Sequence, residues 1–368
     1  MSEIANTNKI TNPSENVNPN ESIKNNSEIL FIYDAKMCNP NGDPDDENKP
    51  RMDYERGLNL VSDLRLKRYI RDYLADFKKH IIFVSKVEGE IVDATNRLRK
   101  LIEESKEEIY KDENLKRDLF KVQKSVKGKK STSDSNEPLE VPEEKNLSKH
   151  LDWLLSKLID VRFFGATMTL KNEDGKGDSI TLTGPIQFNW GYSLNKVIGP
   201  METNGITSTF AGAKEDYGTM GKDYRVNYSL IAFHGIISAK RAESTKLTNS
   251  DICVFDDAIL KSIPLEATTR SKIGQKPLMY IRVEYDNSEY FLGDLRKHLK
   301  IVDEQNNELS FDDTAKLRST KDYKLDVGEL CEKLKSCDSK IQNIHFWKDS
   351  DFNMVGWKPT DTQKIIKL

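Results

Sequence analysis

Apolar positions divide the chain into strand-like and helix-like stretches. Residues 28–36 (EILFIYDAK) form a continuous apolar run rich in β-formers, which predicts a strand buried on both faces of a sheet. Residues 277–286 (PLMYIRVEYD) predict another strand, and residues 248–263 (TNSDICVFDDAILKSI) predict a capped amphipathic helix. The mixture of strands and helices indicates an α+β fold, a sheet with helices on one face.

A helix is predicted from Ser62 to about Phe77, with Ser62 as its N-cap. At about 100° per residue, one arc of this helix is apolar. Its members are Leu66, Ile70, Tyr73, Leu74 and Phe77. The opposite arc is basic and comprises Arg65, Lys67, Arg68 and Arg71. We therefore expect the apolar arc to dock on the sheet and the basic arc to face outward, either as a solvated helix face or as a phosphate-binding surface.

We expect the domain limits to lie at stretches that contain few apolar residues. Residues 1–27 are rich in Asn, Ser and Glu, which predicts a disordered tail. Residues 28–368 are expected to form a single domain. Within it, residues 90–146 are highly charged and predict an insertion that is partly helical and partly disordered. Residues 199–222 form a long glycine-containing stretch, and loops of that length in a domain are usually functional or disordered.

Overall charge limits the classes of function. The formal net charge is −3 although 32% of residues are charged, so any binding of a polyanion has to come from a local patch. The four cysteines are scattered, which is typical of a reduced, cytoplasmic protein. Residues 1–27 lack an apolar core and the chain has no apolar run of about 18 residues, so we expect no secretory signal and no membrane partner.

A second basic segment follows the predicted amphipathic helix. In residues 268–277 (TTRSKIGQKP), Arg270 and Lys272 flank Ser271, and a glycine follows. Hydroxyls, cations and glycine in one loop suit contacts with a nucleic-acid backbone. An ordinary surface loop would have the same composition, so both interpretations stay open.

The loop after the first strand is acidic and raises the question of a metal site. Asp43, Asp45, Asp46 and Asp53 offer oxygen ligands for a hard cation, but their spacing lacks the order of an EF-hand loop. Solvated carboxylates are the favoured interpretation. The five histidines are isolated, and the chain has no nucleophile-elbow or P-loop motif. We expect no catalytic residue, no bound metal and no cofactor.

Several segments, taken in order from Ile29 to Tyr285, resemble a known family. They are NPNGDPD, SDLRLKRYIRDYL, DVRFFGATM, GPIQFNWGYSL, VNYSLIAFHG and TTRSKIGQKPLMYIRVEY. Together they are similar to the CRISPR Cascade backbone family, the "seven"-type Cas subunits of type I effectors, and closest to the subtype I-B branch.

This resemblance implies an RRM-like (ferredoxin-like) core with residues 90–146 as a helical finger and residues 199–224 as a β-hairpin thumb. It further implies a non-catalytic subunit that stacks head to tail with other copies along a CRISPR guide RNA. The implied partners are that RNA, a target DNA strand and other Cascade subunits. The alternative is a metal-dependent, RNA-cleaving backbone subunit of the type III kind that would use the loop carboxylates.

The resemblance also assigns roles to individual residues. It implies that guide-RNA phosphates are bound by Arg65, Lys67, Arg68, Arg71, Gln187, Arg270, Ser271 and Lys272. It implies that an apolar wedge at the thumb displaces nucleotides at intervals, with Phe210, Thr219 and Met220 as candidates. For Arg162, which also lies in a matching segment, an RNA contact and an internal ion pair are both open.

Overall fold

The computed structural model describes most of the chain. The described residues are 18–85, 90, 92–123, 139–142, 147–170, 178–211, 218–359 and 364–368. Their helices are α1 (Asp63–Asp76), α2 (Ala94–Glu104), α3 (Lys106–Ile109), α4 (Glu113–Leu119), α5 (Leu151–Lys157), α6 (Ile159–Phe164), α7 (Ala239–Thr245), α8 (Asn249–Glu266) and α9 (Gly328–Ser336).

The strands fall into one large sheet and several small ones. They are β1 (Ser27–Cys38), β2 (Gly42–Asp43), β3 (Lys49–Pro50), β4 (Met52–Asp53), β5 (Leu58–Val61), β6 (Phe120–Gln123), β7 (Leu139–Pro142), β8 (Gly165–Leu170), β9 (Asp178–Thr183), β10 (Ile186–Phe188), β11 (Gly191–Ser193), β12 (Met201–Ala211), β13 (Gly218–Ile237), β14 (Gln275–Tyr285), β15 (Lys300–Val302), β16 (Lys324–Asp326), β17 (Ile341–Lys348), β18 (Met354–Val355) and β19 (Ile365–Lys367).

Strand β1 lies at the centre of the large sheet, as its continuous apolar sequence predicts. The order is β19-β17-β14-β1-β13-β11-β5-β4, with β10 and β12 also paired to β13. Both neighbours of β1 run antiparallel to it. Phe31 and Ile32, which point to opposite faces, are both fully buried. The fold is therefore mixed α+β around one large sheet.

The sheet is covered on both faces, and the expectation of helices on one face alone is wrong. One face packs against α1 and α8 through side chains such as Ile70 and Phe255. The other face packs against the C-terminal segment, where Tyr323, Leu325 and Leu330 join the core formed by Leu30 and Ile32. Because β1 is apolar on both faces, a second layer of protein has to cover the other face of the sheet.

The described part of residues 90–146 forms its own small core beside the sheet. Helix α2 packs with α5 and α6 through Leu98, Leu101, Leu154 and Val161, all of which are buried. Strands β6 and β7 pair with each other antiparallel. The remainder of the predicted low-complexity stretch, 124–138 and 143–146, lies outside the described residues.

The N-terminal segment is packed from residue 18 onward, which corrects the predicted disordered tail for residues 18–26. Ile23 is buried, and its amide donates to the Leu247 carbonyl at 3.1 Å. The Asn249 amide donates to the Glu21 carbonyl at 3.0 Å, so the segment lies across the start of α8. The asparagine-rich composition is misleading because backbone hydrogen bonds, together with the single buried apolar side chain of Ile23, fix this segment. Residues 1–17 lie outside the described residues.

A long hairpin continues from the centre of the sheet. Strand β13 has 20 residues; its inner part pairs with β1, and its outer part pairs with β12. The hairpin, residues 201–225, is therefore a direct continuation of a strand at the centre of the sheet. No helix in the described part of the chain has the length and apolar character that crossing a membrane requires.

Candidate nucleic-acid interface

Helix α1 is fixed at its N-terminus by the loop that follows β1. The Ser62 side chain caps the helix by accepting a hydrogen bond from the Arg65 amide at 3.3 Å, as predicted. The Asn41 side-chain oxygen accepts from both the amide and the hydroxyl of Ser62, at 2.8 and 3.0 Å. The helix therefore begins at a defined point beside the end of the central strand.

The apolar arc of α1 docks on the sheet with one exception. Leu66, Ile70, Tyr73 and Leu74 are buried, as predicted. Phe77 is 51% exposed, so its predicted burial is wrong. The helix ends at Asp76, and the Phe77 ring stacks on Tyr73 at 5.6 Å between centroids instead of entering the core.

The opposite arc of α1 does not face solvent throughout, and the expectation is wrong for Lys67 and Arg71. The Lys67 ammonium lies 3.0 Å from Asp63 and 2.9 Å from the Gln187 side-chain oxygen, and Lys67 is buried. The Arg71 guanidinium donates to Asp160 at 3.0 Å, and Asp160 is fully buried. Helix α6 covers this side of α1, so a second layer of protein occupies the space that the helical wheel leaves to solvent.

Gln187 and Arg162 also make their polar contacts inside the subunit. The Gln187 amide donates to the carbonyls of Gly184 and Phe164, at 3.0 and 3.3 Å. The Arg162 guanidinium forms a two-pronged pair with Asp251, at 2.7 and 2.8 Å. Of the two interpretations of Arg162, the internal ion pair is therefore the correct one. These side chains position α1 and α8 relative to the neighbouring strands.

Arg65 and Arg68 remain at the surface of α1. Arg68 is exposed and pairs with Asp72 at 2.7 Å. Arg65 is partly buried, with its guanidinium carbon 4.1 Å from the centroid of the Tyr69 ring, and it donates to the Tyr69 hydroxyl at 2.7 Å. The Tyr69 side chain therefore holds the Arg65 guanidinium in place near the start of the helix.

The loop between α8 and β14 lies against this end of α1. The Asn39 amide donates to the Ser271 carbonyl at 2.7 Å, and the Lys36 amide donates to the Gly274 carbonyl at 2.8 Å. Gly274 has φ +114°, and a Cβ there would lie 2.3 Å from the Lys36 carbonyl oxygen, so only glycine allows this approach. The Gln275 side chain donates to the Tyr69 hydroxyl at 3.1 Å, which joins the loop to α1.

Four cations meet where these segments join, and we call Arg65, Arg225, Arg270 and Lys272 the cationic junction. Arg225 donates to the Met37 carbonyl at 2.7 Å and to the Arg270 carbonyl at 3.2 Å. Asp223 pairs with both Arg225 and Arg270, at 2.7 and 3.0 Å. Burial alone would raise the pKa of Asp223, but these two guanidinium groups hold it below the ordinary value. Four cations and this one carboxylate give the junction a net positive charge.

Lys272 is the one ammonium group of the cationic junction. Its ammonium donates to the Asn39 carbonyl at 2.7 Å. Burial lowers the pKa of Lys272 to about 8, and the nearby Arg65 guanidinium adds to the lowering. A bound phosphate would reverse this effect, because an anion stabilises the charged ammonium.

Arg225 is a residue of the junction that no local sequence pattern indicates. The residue lies at the start of a β-rich run, and nothing in its own neighbourhood places it near residues 268–274. The position of Arg225 in the junction follows from the strand pairing, because Cys38 of β1 lies opposite Val226 of β13. Once that register is known, Arg225 falls next to the end of β1.

The hairpin of β12 and β13 rises beside the junction. The Tyr224 hydroxyl donates to Glu47 at 2.6 Å, and the Lys222 ammonium pairs with the same carboxylate at 3.1 Å. The hydrogen bond from Tyr224, followed by that from Lys222, lowers the pKa of Glu47. The three wedge candidates lie in the hairpin strands, but their side chains fall outside the described part. They are Phe210 in β12, and Thr219 and Met220 in β13.

Asp43 and Asp46 of the acidic loop are engaged in ion pairs. Asp43 pairs with Arg51 at 3.0 Å, and Asp46 pairs with Lys49 at 2.6 Å. Within the described residues, no group of three or more His, Cys, Asp or Glu side chains has an arrangement that suits a metal ion. These contacts make the loop a folded element that packs against the base of the hairpin.

The fold defines the chain first as a mixed α+β protein built around one large sheet. The family model described as CRISPR-associated protein Cas7 matches residues 25–328. A relative named CRISPR-associated protein Cas7, from Haloferax volcanii, is 32% identical over 334 residues, which cover 87% of this chain and 86% of the relative. The chain belongs to the CRISPR-associated protein Cas7 family.

Two solved structures contain similar chains. A chain of a structure described as "CRISPR RNA-guided surveillance complex, pre-nicking" is 12% identical, with a TM-score of 0.48 over 91% of this chain and 97% of that chain. A chain of a structure described as "CRISPR RNA-guided surveillance complex" is 10% identical, with a TM-score of 0.44 over 91% of this chain and 93% of that chain.

Proposed function

We propose that this chain is a non-catalytic backbone subunit of a type I surveillance complex that binds the phosphates of a CRISPR guide RNA. Copies of the chain stack head to tail along that RNA, together with other Cascade subunits, and support recognition of a target DNA strand by base pairing with the guide. Membership of the Cas7 family supports this proposal.

The observation that carries the proposal is the cationic junction. It gathers three guanidinium groups and one ammonium at the meeting point of β1, α1, β13 and the loop before β14. Arginine forks and lysine suit phosphate oxygens, and the chain as a whole carries a net charge of only −3. Arg65, Arg270 and Lys272 therefore remain proposed RNA contacts, with Ser271 beside them and Arg225 added. Arg68 is a further candidate, whereas Lys67, Arg71 and Gln187 act through packing.

The core of the proposed subunit is RRM-like. Strand β1 lies between β13 and β14, and β11 follows on the far side of β13, with antiparallel pairing at each step. Helix α1 follows β1, helix α8 follows β13, and both pack on one face. This order and these connections support the proposal, because a split β-α-β unit has the same arrangement. Residues 90–146 would be the finger of this hand-shaped domain, and the hairpin at residues 199–224 the thumb.

A salt titration tests the proposed phosphate contacts. We expect the double variant Arg65→Ala/Arg270→Ala to weaken binding of every RNA sequence alike, and to reduce the slope of log affinity against log salt by roughly one unit for each phosphate that is no longer bound. The matched control is Arg56→Ala, which removes an exposed arginine from the 53–57 turn. A loss confined to particular sequences, or equal losses in the control, would contradict the proposal.

The RNA-cleaving alternative makes a different prediction. Incubation of the assembled complex with complementary RNA and Mg²⁺ would give regularly spaced cuts, lost in Asp43→Ala or Asp45→Ala. We expect intact RNA instead, because Arg51 and Lys49 neutralise the neighbouring carboxylates Asp43 and Asp46.

A further inference from the structure

Two large apolar side chains are exposed within the cationic junction. Met37 is 44% exposed and Ile273 is 64% exposed. They lie on the two chain segments that continue the β1–β14 ladder, between the Lys36–Gly274 and Asn39–Ser271 hydrogen bonds. These backbone contacts hold Met37 and Ile273 close together at the end of the sheet.

The backbone of Met37 has an uncommon conformation. Its φ is +51°, in the left-handed region that residues with a side chain rarely adopt. In this conformation the Met37 carbonyl accepts a hydrogen bond from Arg225 at 2.7 Å. The turn thus joins an exposed methionine to one cation of the junction.

The surroundings of this apolar pair are positively charged. Arg270 and Lys272 belong to the same loop as Ile273, and Arg225 contacts the carbonyls of Met37 and Arg270. A surface that offers cations around apolar side chains is complementary to a single polynucleotide strand, whose phosphates are charged and whose base faces are apolar. Methionine and isoleucine also occur as wedges against base steps.

We propose that Met37 and Ile273 form a contact surface for the bases of the bound RNA, beside the cations that bind its phosphates. This inference rests on the proposed function and deepens it, because it assigns base contacts to the core of the subunit, separate from the wedge of the thumb. The contact is to base faces, so it does not depend on sequence.

An RNA strand that carries abasic positions separates the two kinds of contact. Such a strand keeps its phosphates and loses its base faces. We expect the wild-type chain to bind intact RNA more tightly than abasic RNA by about fivefold or more, the low end of base-stacking effects. In Met37→Asn/Ile273→Ser, we expect this difference to disappear while affinity for abasic RNA stays the same.

The two substitutions in Met37→Asn/Ile273→Ser should leave the chain able to fold. Asparagine tolerates the left-handed conformation of residue 37 better than most residues, and both substituted side chains are at the surface. The matched control is Phe311→Ser, which removes a similarly exposed side chain (42%) from the C-terminal segment and should leave the preference for intact RNA unchanged. Unchanged binding of abasic RNA also serves as the test that the double variant is folded.

Three results would overturn the inference. If the double variant retains the wild-type preference for intact RNA, these side chains do not contact bases, although Arg65→Ala/Arg270→Ala could still abolish binding and uphold the proposed function. If the double variant changes self-association without RNA, the surface is a protein interface. If the wild-type chain binds no RNA at all, both the inference and the proposed function fail.

Discussion

Arginines on successive turns of α1 have opposite surroundings. Arg65 and Arg68 reach the surface, whereas Arg71 meets a fully buried carboxylate, Asp160. Asp160 also accepts hydrogen bonds from the amides of Phe83 and Val84, at 2.9 and 3.2 Å. Arg71 therefore connects α1 to the chain that enters the insertion, and we assign it a structural role.

Replacement of Arg71 should lower stability. We expect Arg71→Ala to reduce the free energy of unfolding by about 3 kcal/mol, because a buried carboxylate loses its counterion. Denaturant unfolding of the purified chain measures this loss. The exposed control, Arg56→Ala, should change stability by less than about 0.5 kcal/mol. If Arg71→Ala keeps wild-type stability and loses RNA binding, Arg71 is an RNA contact and our assignment is wrong.

Lys272 should make RNA affinity depend on pH. Its pKa of about 8 lies below the ordinary lysine value, and the charged ammonium is the form that binds phosphate. Affinity should therefore be highest below pH 8 and fall above it, by at most about tenfold per pH unit. Lys272→Arg keeps the charge and should remove most of this fall, whereas Lys240→Arg, on the distant helix α7, should not. A wild-type affinity that is constant from pH 7 to 9 would contradict the prediction.

At the scale of elements, the loop after β1 and the long hairpin are joined through one carboxylate. Glu47 accepts from the Tyr224 hydroxyl and pairs with Lys222, while the Lys49 ammonium lies 5.4 Å from the centroid of the Tyr224 ring. These contacts lie where β13 leaves the sheet. They join the loop after β1 to the base of the hairpin.

Removal of this carboxylate should loosen the base of the hairpin. We expect Glu47→Gln to speed amide hydrogen exchange at residues 222–225, because the paired ammonium and the hydroxyl lose a charged acceptor. Hydrogen-exchange mass spectrometry on the free chain measures the effect. Glu243→Gln, which removes an exposed partner of Lys240 on α7, should leave residues 222–225 unchanged. Equal exchange in the two variants would show that the contact does not fix the hairpin.

The sequence predicts elements better than it predicts the layers between them. The central position of β1, the cap of α1 at Ser62 and the docking of Leu66 and Ile70 follow from local apolar patterns. The burial of Lys67 does not, since it depends on the neighbouring strand that supplies Gln187. A helical wheel separates one buried arc from one exposed arc, but α1 is buried against protein on two sides.

The candidate site, too, could be predicted only in part from the sequence. Residues 268–274 combine cations, a hydroxyl and glycine in one stretch, so that part was predictable. Arg225 and Met37 join the site only through the antiparallel register of β1, β13 and β14. A register is a long-range property, and no local pattern in these three segments specifies it.

At the scale of the whole molecule, the described residues form three hydrophobic cores around and beside one sheet. Two cover its faces, and the third supports the described part of residues 90–146. The junction and the hairpin lie together where β1 and β13 meet the loop before β14. In the function we propose, one such subunit binds one segment of an RNA and extends its hairpin toward a neighbouring copy.

Nuclease protection of a guide RNA tests the central claim most directly. We expect the chain to coat the RNA as a helical filament that leaves cuts at one repeating spacing, and we expect Arg65→Ala/Arg270→Ala to abolish the pattern while Arg56→Ala retains it. A wild-type chain that stays monomeric and leaves the RNA uniformly sensitive to nuclease would contradict the account.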